Sequence, residues 1–474
     1  MAKTKRWCDV ASLSPPDGKF MERMKTAIQS INTTAVEQRG PPIIIRIMFG
    51  NIIGMPVNCH ALIRELVSGI RKDTCNIQLW VGAWRRGVSW NHAKIIAVDG
   101  VHLFQGGHNL WDAHYLQKNP VHDLSMQAAG RCARDGHIYL DKQWSFIQKM
   151  QSNCVGWFVD KLPDWLPTPL QTRVTVSEFP EGRTAVFPPG YAKRRSRGPH
   201  DVRMITMGRY GSIQGVGRPR LHKARPSDDA FVAMFKASKK SIRMALQDLG
   251  PPCVPGTLRV GLDKMALPGT VWPAVYLNAI GQALMKGVQV EIALSTPGSI
   301  PNDLSMTEAL YGNGWECNDV AAEIIKEIIK MGPHDVDVEQ QVKNNLRICY
   351  IKQGGKNTWR DGKGMGMHAK HFIIDDIAYY IGSQNLYICD LAEWGILVDD
   401  EQQTKRVKAE YWTPMWEASY IEAPDRDWNI EAAMDGSRKS RNGGCWSCLP
   451  MADRRDAIRK AAGCQGNSNF RTAH

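Results

Sequence analysis

Apolar positions fall along this chain in short runs separated by stretches of helical period. Residues 43–49 form an almost unbroken apolar run of strand length. Residues 59–70 place Leu62, Leu66 and Ile70 on one helical face, and residues 77–84 read as a second strand. The order recurs in the second half. A helical pattern over 275–285 leads into a strand over 288–294, apolar at Val288, Val290, Ile292 and Leu294, and a helix over 320–331 precedes a strand over 346–351. Helices alternating with short apolar strands predict an α/β fold, and the chain reads as two copies of one unit.

The stretches between and after these units have a different texture. Residues 163–226 are punctuated by Pro188, Pro189, Gly190, Gly208, Gly211, Gly215 and Gly217, and read as loop around one strand over 202–207. Past Asp425 the apolar periodicity fades and Gly, Ser, Arg and Asn dominate, the pattern of a flexible basic tail with one short helix over 453–462. The expected organisation is a first lobe over 1–172, a basic interlobe region over 173–226, a second lobe over 227–425 and a tail over 426–474.

Composition narrows the classes. With 474 residues, 43% hydrophobic and 23% charged, the chain is globular in type, neither disordered nor fibrous. No run approaches the roughly 18–20 apolar residues of a membrane span; the nearest, 43–57, is broken by Arg46, Gly50, Asn51, Gly54 and Pro56. The basic N-terminus has no apolar block behind it and does not read as a secretory signal, so the expected location is cytoplasmic or peripheral to a membrane. Twelve cysteines, spread from Cys8 to Cys464, then read as reduced thiols. The one tight pair, Cys445 and Cys448, lacks a second pair or flanking histidines and is a weak zinc signal.

The formal charge of +13 points to a polyanionic partner, and nucleic acid and phospholipid headgroups both qualify. Most of that charge has an address. Residues 191–225 carry a net +9, with Asp201 the one acid among ten basic residues. Such a stretch is either a solvated loop or a contact for anionic phosphates of a membrane surface, each worth about 1 kcal/mol.

One signature occurs twice at identical spacing. It reads His92-Ala-Lys94, Asp99, Gly106-Gly107, Asn109 in the first half and His368-Ala-Lys370, Asp375, Gly382-Ser383, Asn385 in the second. Five fixed residue types at one spacing arise by chance on the order of once in ten thousand chains of this length. His and Lys two apart on a strand project from the same face, Ile95, Ile96 and Val98 anchor that strand, and the glycines let the next strand turn closely. Each half thus offers an imidazole, an ammonium and an amide. Lysine and asparagine suit the oxygens of a phosphate. Two histidines on opposite sides of one phosphorus supply a nucleophile and an acid for the leaving group. The motifs are equivalent by sequence, which leaves open which histidine attacks. No cofactor is expected, because the lysines and asparagines supply the charge stabilisation a metal would give.

Both signatures resemble the HKD motif of the phospholipase D superfamily. Residues 90–144, 245–250 and 368–398 further resemble the bacterial, Streptomyces-type phospholipases D, and the likeness runs over about 8–420. The resemblance implies two α/β/α sandwich lobes with pseudo-twofold symmetry and an active site at their junction. It implies that His92 attacks phosphorus to form a phosphohistidine, and that His368 protonates the leaving alcohol and then activates water or an incoming alcohol. Lys94, Lys370, Asn109 and Asn385 would hold the phosphate oxygens. Asp123 and Glu393 fall where the superfamily places a carboxylate that orients a catalytic imidazole, and Asp99 and Asp375 would brace the loops and the lysines. Residues 207–212 would lie near the mouth of the site.

The implied activity is hydrolysis of phosphatidylcholine-like glycerophospholipids to phosphatidic acid and a headgroup alcohol, with transphosphatidylation, by a monomer at a phospholipid membrane surface. The alternative is a phosphodiesterase of the same superfamily acting on nucleic acid, which the charge also suits. An inactive scaffold is disfavoured by intact His, Lys and Asn in both motifs. Trp111, Tyr115 and Tyr387 read either as packed aromatics or as π faces for a headgroup cation. His108 reads as pocket rim at most, and Gly362, Gly364 and Gly366 as a flexible lead-in to His368. The chain departs from secreted members in lacking a signal peptide and the N-terminal stretch before the first strand, and in its more basic interlobe loop and tail.

Overall fold

A computed structural model describes residues 1–52, 56–87, 89–149, 154–157, 201–213, 226–251, 272–299, 315–333, 336–386 and 390–438. The first sheet holds β1 (Trp7–Ser12), β2 (Ile43–Gly50), β3 (Ile77–Arg86), β4 (Ser89–Trp90), β5 (Ile95–Val98), β6 (His102–Gly106), β7 (Ser125–Ala129) and β8 (Cys154–Trp157). Its order is β4-β3-β2-β1-β5-β6-β7, with β8 paired to β3. The second holds β9 (Met204–Tyr210), β10 (Ser241–Leu246), β11 (Gln289–Leu294), β12 (Leu346–Tyr350), β13 (Lys370–Ile374), β14 (Ala378–Gly382) and β15 (Ala392–Asp399), in the order β12-β11-β10-β13-β14-β15-β9.

The two sheets match strand for strand. β3-β2-β1 are parallel and continue through antiparallel β5-β6-β7; β12-β11-β10 are parallel and continue through antiparallel β13-β14-β15. This is the expected pair of α/β/α lobes with pseudo-twofold symmetry. Parallel strands need crossovers, and helices Gly18–Gln38 and Cys59–Leu66 supply them in the first lobe, as Ala274–Met285 and Cys317–Lys330 do in the second. The helix expected over 59–70 stops at Leu66, ahead of Gly69, whose φ of 89° an ordinary residue resists. Helix Gly18–Gln38 and β1 lie outside the sequence expectations. The strand reads as polar because of Asp9, yet Asp9 is buried against Arg46 of β2 at 2.6 Å, with Asp141 2.7 Å from the same guanidinium and His137 2.6 Å from the carboxylate.

Burial falls into three apolar clusters. One fills the outer side of the first lobe, one the outer side of the second, and the third is shared. The shared core takes Trp80, Trp84, Ile95 and Trp144 from the first lobe and Ile373, Ile381, Trp394 and Trp412 from the second. Strand alternation explains the division: on β5, Ile95 and Ala97 face the shared core while Ile96 and Val98 face the first lobe's own helices. The loops that join β4 to β5 and precede β13 therefore end at a sealed seam between lobes.

Two segments depart from the expected organisation. Within 173–226, β9 is hydrogen-bonded to β15 from Met204–Val398 to Tyr210–Ala392, so this piece is an edge strand of the second sheet. Beyond Asp425, helix Ile430–Arg438 buries Ile430 and Ala433 in the second lobe's outer core. Within the basic stretch over 191–225 only 201–213 are described; Tyr387, Cys445, Cys448 and the expected helix over 453–462 lie outside the described residues. Among those described, no helix is long and apolar enough to cross a membrane.

Candidate active site

Two backbone bridges across the seam build the site. The His92 N–H donates to the Ala392 carbonyl at 2.8 Å, and the His368 N–H donates to the His122 carbonyl at 2.7 Å. The residue after each acceptor is a carboxylate. Glu393 Oε2 consequently lies 3.0 Å from His92 Nδ1, and Asp123 Oδ2 lies 2.8 Å from His368 Nδ1. Each imidazole is oriented by the opposite lobe. A carboxylate at Nδ1 keeps the proton there and leaves the lone pair on Nε2. Both histidines are 2% exposed.

The lysines lie on the same faces as their histidines, as the two-residue spacing predicts. Lys94 Nζ donates to the His92 carbonyl at 2.8 Å, and Lys370 Nζ to the His368 carbonyl at 2.6 Å and to Gln247 Oε1 at 2.8 Å. Gln247 lies in the 245–250 run, but the sequence attached no role to it. Asn109 and Asn385 are buried, and both side-chain polar atoms of Asn109 lack a hydrogen-bond partner among the described residues. A buried amide left open is costly unless a ligand completes it.

Small residues make room for the carboxylates. A Cβ on Gly107 would stand 2.0 Å from Asp123 Oδ1, so only glycine lets the carboxylate reach His368. At the matching position of the second motif, Ser383 Oγ donates to Glu393 Oε2 at 2.5 Å. Tyr115, read from sequence as a packed ring or a cation platform, donates its hydroxyl to Asp123 Oδ2 at 2.8 Å and accepts from the Asn109 N–H at 3.1 Å. Its ring lies tilted against His108, centroids 4.7 Å apart, and His108 Nδ1 is 2.7 Å from Ser125 Oγ. Trp111 is packed, its Nε1–H bonded to the Pro15 carbonyl at 3.1 Å.

Asp99 and Asp375 are bracing residues of the loops and not of the lysines. Both sit at positive φ, 53° and 54°, which aspartate tolerates better than most residues. Asp99 accepts the backbone N–H groups of Lys5, Arg6 and Trp7 at 2.8–2.9 Å. Asp375 accepts those of Lys239, Lys240 and Ser241 at 2.7–2.9 Å. Each tethers the start of its lobe's first central strand. Arg209, counted from sequence with a membrane-facing basic stretch, is 3% exposed and ion-paired inside the second lobe. The segment with Gly364 and Gly366 is anchored: the Gly366 carbonyl accepts the His122 N–H at 2.8 Å, and Met365 and Met367 are buried.

Burial sets the electrostatics. It pushes the His92 imidazole down to about 4, against the pull of Glu393, with Lys94 lowering it further. His368 is held well below the ordinary imidazole range by burial and Lys370, opposed by Asp123. Burial raises the proton affinity of Asp123 and Glu393, but the facing imidazoles together with nearby cations, Lys370 at Asp123 and Arg209 and Lys94 at Glu393, outweigh it and hold both carboxylates below their usual range. Burial and Lys370 lower Lys94 well below the ordinary ammonium range, and burial brings Lys370 to about 8. Two buried lysines set beside two imidazoles are donors whose chemistry suits the oxygens of a phosphate diester. Among the described residues, no three His, Cys, Asp or Glu side chains converge as metal ligands.

Fold and site together define a two-lobed α/β protein with a crossed pair of histidine–carboxylate couples at the lobe seam, and its sequence is similar to that of a phospholipase D. Over 458 residues it is 23% identical to a phospholipase D of Streptomyces antibioticus, a match covering 88% of this chain and 75% of that protein. The structure of a phosphatidylserine synthase from Haemophilus influenzae Rd KW20 covers 92% of this chain and 87% of its own, at 12% identity and a TM-score of 0.52. Nuc from Salmonella typhimurium, a phospholipase D family member, covers 48% of this chain and 99% of its own, at 12% identity and a TM-score of 0.25. No protein-family model matches the chain.

Proposed function

We propose that this protein is a phospholipase D that cleaves phosphatidylcholine-like glycerophospholipids to phosphatidic acid and a free headgroup alcohol. The observation that carries the chemistry is the crossed pairing, His92 with Glu393 and His368 with Asp123, beside two buried lysines. The sequence likeness to the Streptomyces phospholipase D supports a lipid substrate.

In this reading Lys94, Lys370, Asn109 and Asn385 bind the phosphate oxygens. The diester's charge, placed beside His368, favours that imidazole's protonated form. His92 Nε2 attacks phosphorus, the bond to the headgroup oxygen breaks, and His368 gives that oxygen its proton. Water or an alcohol then attacks the phosphohistidine, losing its proton to His368 as the P–N bond breaks. Glu393 and Asp123 hold the two rings in register throughout.

The test is to incubate the protein with phosphatidylcholine vesicles and ethanol and to look for choline and phosphatidylethanol. Cleavage of single-stranded DNA with no lipid product would overturn the lipid reading in favour of a nuclease. His92→Ala should abolish turnover, and labelled phosphate trapped on His368 instead of His92 would reverse the roles.

A further inference from the structure

Glu393 and Asp123 orient their imidazoles by one geometry, yet the groups behind them differ. Asp123 Oδ2 is backed by a neutral donor, the Tyr115 hydroxyl, at 2.8 Å. Glu393 is backed by a cation. Arg209 stands directly opposite it in the β9–β15 ladder, so the two side chains share a face, and Arg209 Nη2 lies 4.0 Å from Glu393 Oε1. The same guanidinium donates through Nε to the Leu391 carbonyl at 3.2 Å, two residues before Glu393, and through Nη1 to Asp228 Oδ1 at 3.2 Å. From the first lobe, the Tyr139 hydroxyl donates to the Arg209 carbonyl at 3.0 Å and pins the strand. Asp228 Oδ1 also accepts from the Tyr276 hydroxyl and from Gln384 Nε2.

A guanidinium does not lose its proton inside a protein, so this buried charge is permanent and two buried carboxylates share it. The groups facing Glu393 are His92, Lys94 and Lys370 from the signature stretches, Ser383 and Tyr380 from around β14, Tyr139 from the first lobe and Arg209 from β9. Among these, Arg209 is the group whose charge no ordinary pH removes.

We propose that Arg209 is a positioning residue for His92: dividing its charge between Glu393 and Asp228, it keeps Glu393 ionised and aimed at His92 Nδ1. The inference rests on the catalytic role proposed for His92. Without Arg209, Glu393 and Asp228 share a buried site with no fixed cation between them. Glu393 then holds a proton more tightly and stops orienting the ring. Without the Asp228 charge, Arg209 serves Glu393 undivided and Glu393 ionises more readily.

Three variants test this, with kcat/KM profiled from acid to neutral pH on bis(4-nitrophenyl) phosphate. Arg209→Gln should lower kcat roughly 10- to 100-fold, the range for loss of a partner behind a site ligand, and move the acid limb up by about one pH unit. Asp228→Asn should move that limb down. Arg209→Lys should keep the limb in place with a lowered kcat, because it keeps the charge but not the fork. Limbs that stay put in both Arg209→Gln and Asp228→Asn, or that move in the same direction, would overturn the proposal, since general loosening of the fold has no reason to give opposite signs. If Arg209→Gln fails to melt cooperatively, the other two variants carry the test. The small diester makes failures separable: no turnover of phosphatidylcholine vesicles defeats the lipid reading and leaves the arginine test standing.

Discussion

Gly107 offers a test of whether the crossed carboxylates hold the imidazoles as described. Gly107→Ala adds one methyl group, and its carbon would stand 2.0 Å from Asp123 Oδ1 and 2.9 Å from Asp123 Cγ. Ordinary contact needs about 3.5 Å, so the carboxylate must retreat by 1 Å or more, as an order of magnitude. Asp123 Oδ2 starts 2.8 Å from His368 Nδ1 and 2.8 Å from the Tyr115 hydroxyl, and Oδ1 starts 2.7 Å from the Leu124 N–H. Such a retreat takes the imidazole bond past hydrogen-bond range. A bond to a charged group contributes about 1.5–3 kcal/mol, and at about 1.4 kcal/mol per tenfold in rate the loss is roughly 10- to 100-fold in kcat. The assay is steady-state hydrolysis of bis(4-nitrophenyl) phosphate, with circular dichroism confirming the fold. Gly40→Ala, where a Cβ meets nothing within 4 Å, is the control and should match wild type. A Gly107→Ala kcat within about twofold of wild type, beside a crippled Asp123→Ala, would refute the reasoning.

Two further outcomes follow from the same geometry. Lys370, brought to about 8 by burial, loses its charge as pH rises through that value, so kcat/KM should fall above it; Lys370→Arg should move that limb far to the alkaline side, and an unmoved limb assigns it to another group. Asp99→Ala removes the acceptor of three backbone N–H groups and leaves alanine at a φ of 53°, for a loss of about 2–4 kcal/mol in urea unfolding with kcat of the folded protein unchanged. Lost turnover at unchanged stability would instead place Asp99 in the chemistry.

Much of the architecture was legible because its strands obey a simple pattern. The run behind β2 is apolar at nearly every position, as a buried parallel strand is, while β11 alternates Val290, Ile292 and Leu294 with Gln289 and Glu291. β1 escaped notice because Asp9 sits in its middle, and a charge inside a strand makes sense only once Arg46 of the neighbouring strand is seen to neutralise it. The strand of β9 was expected over 202–207; what the chain order could not show is its place beside β15, a strand nearly two hundred residues on. Helix Ile430–Arg438 was missed because its core face, Ile430, Ala433 and the half-buried Met434, spans little more than one turn in an otherwise polar stretch.

The two signatures and their spacing were in the sequence, and with them the imidazoles, the ammoniums and the amides, since local strand geometry puts His and Lys on one face. The resemblance to the superfamily also marked Asp123 and Glu393 as carboxylates of interest. What the chain order cannot show is which carboxylate serves which histidine. That was decided by the bridges from His92 to Ala392 and from His368 to His122, which cross the lobes and so bring together groups about 300 and 245 residues apart. The same holds for Arg209. By composition it was one more positive charge in a basic stretch; burial opposite Glu393 turned it into part of the site. Charge is a property of the residue, but what it acts on is set by the neighbours that folding supplies and by the water that folding excludes.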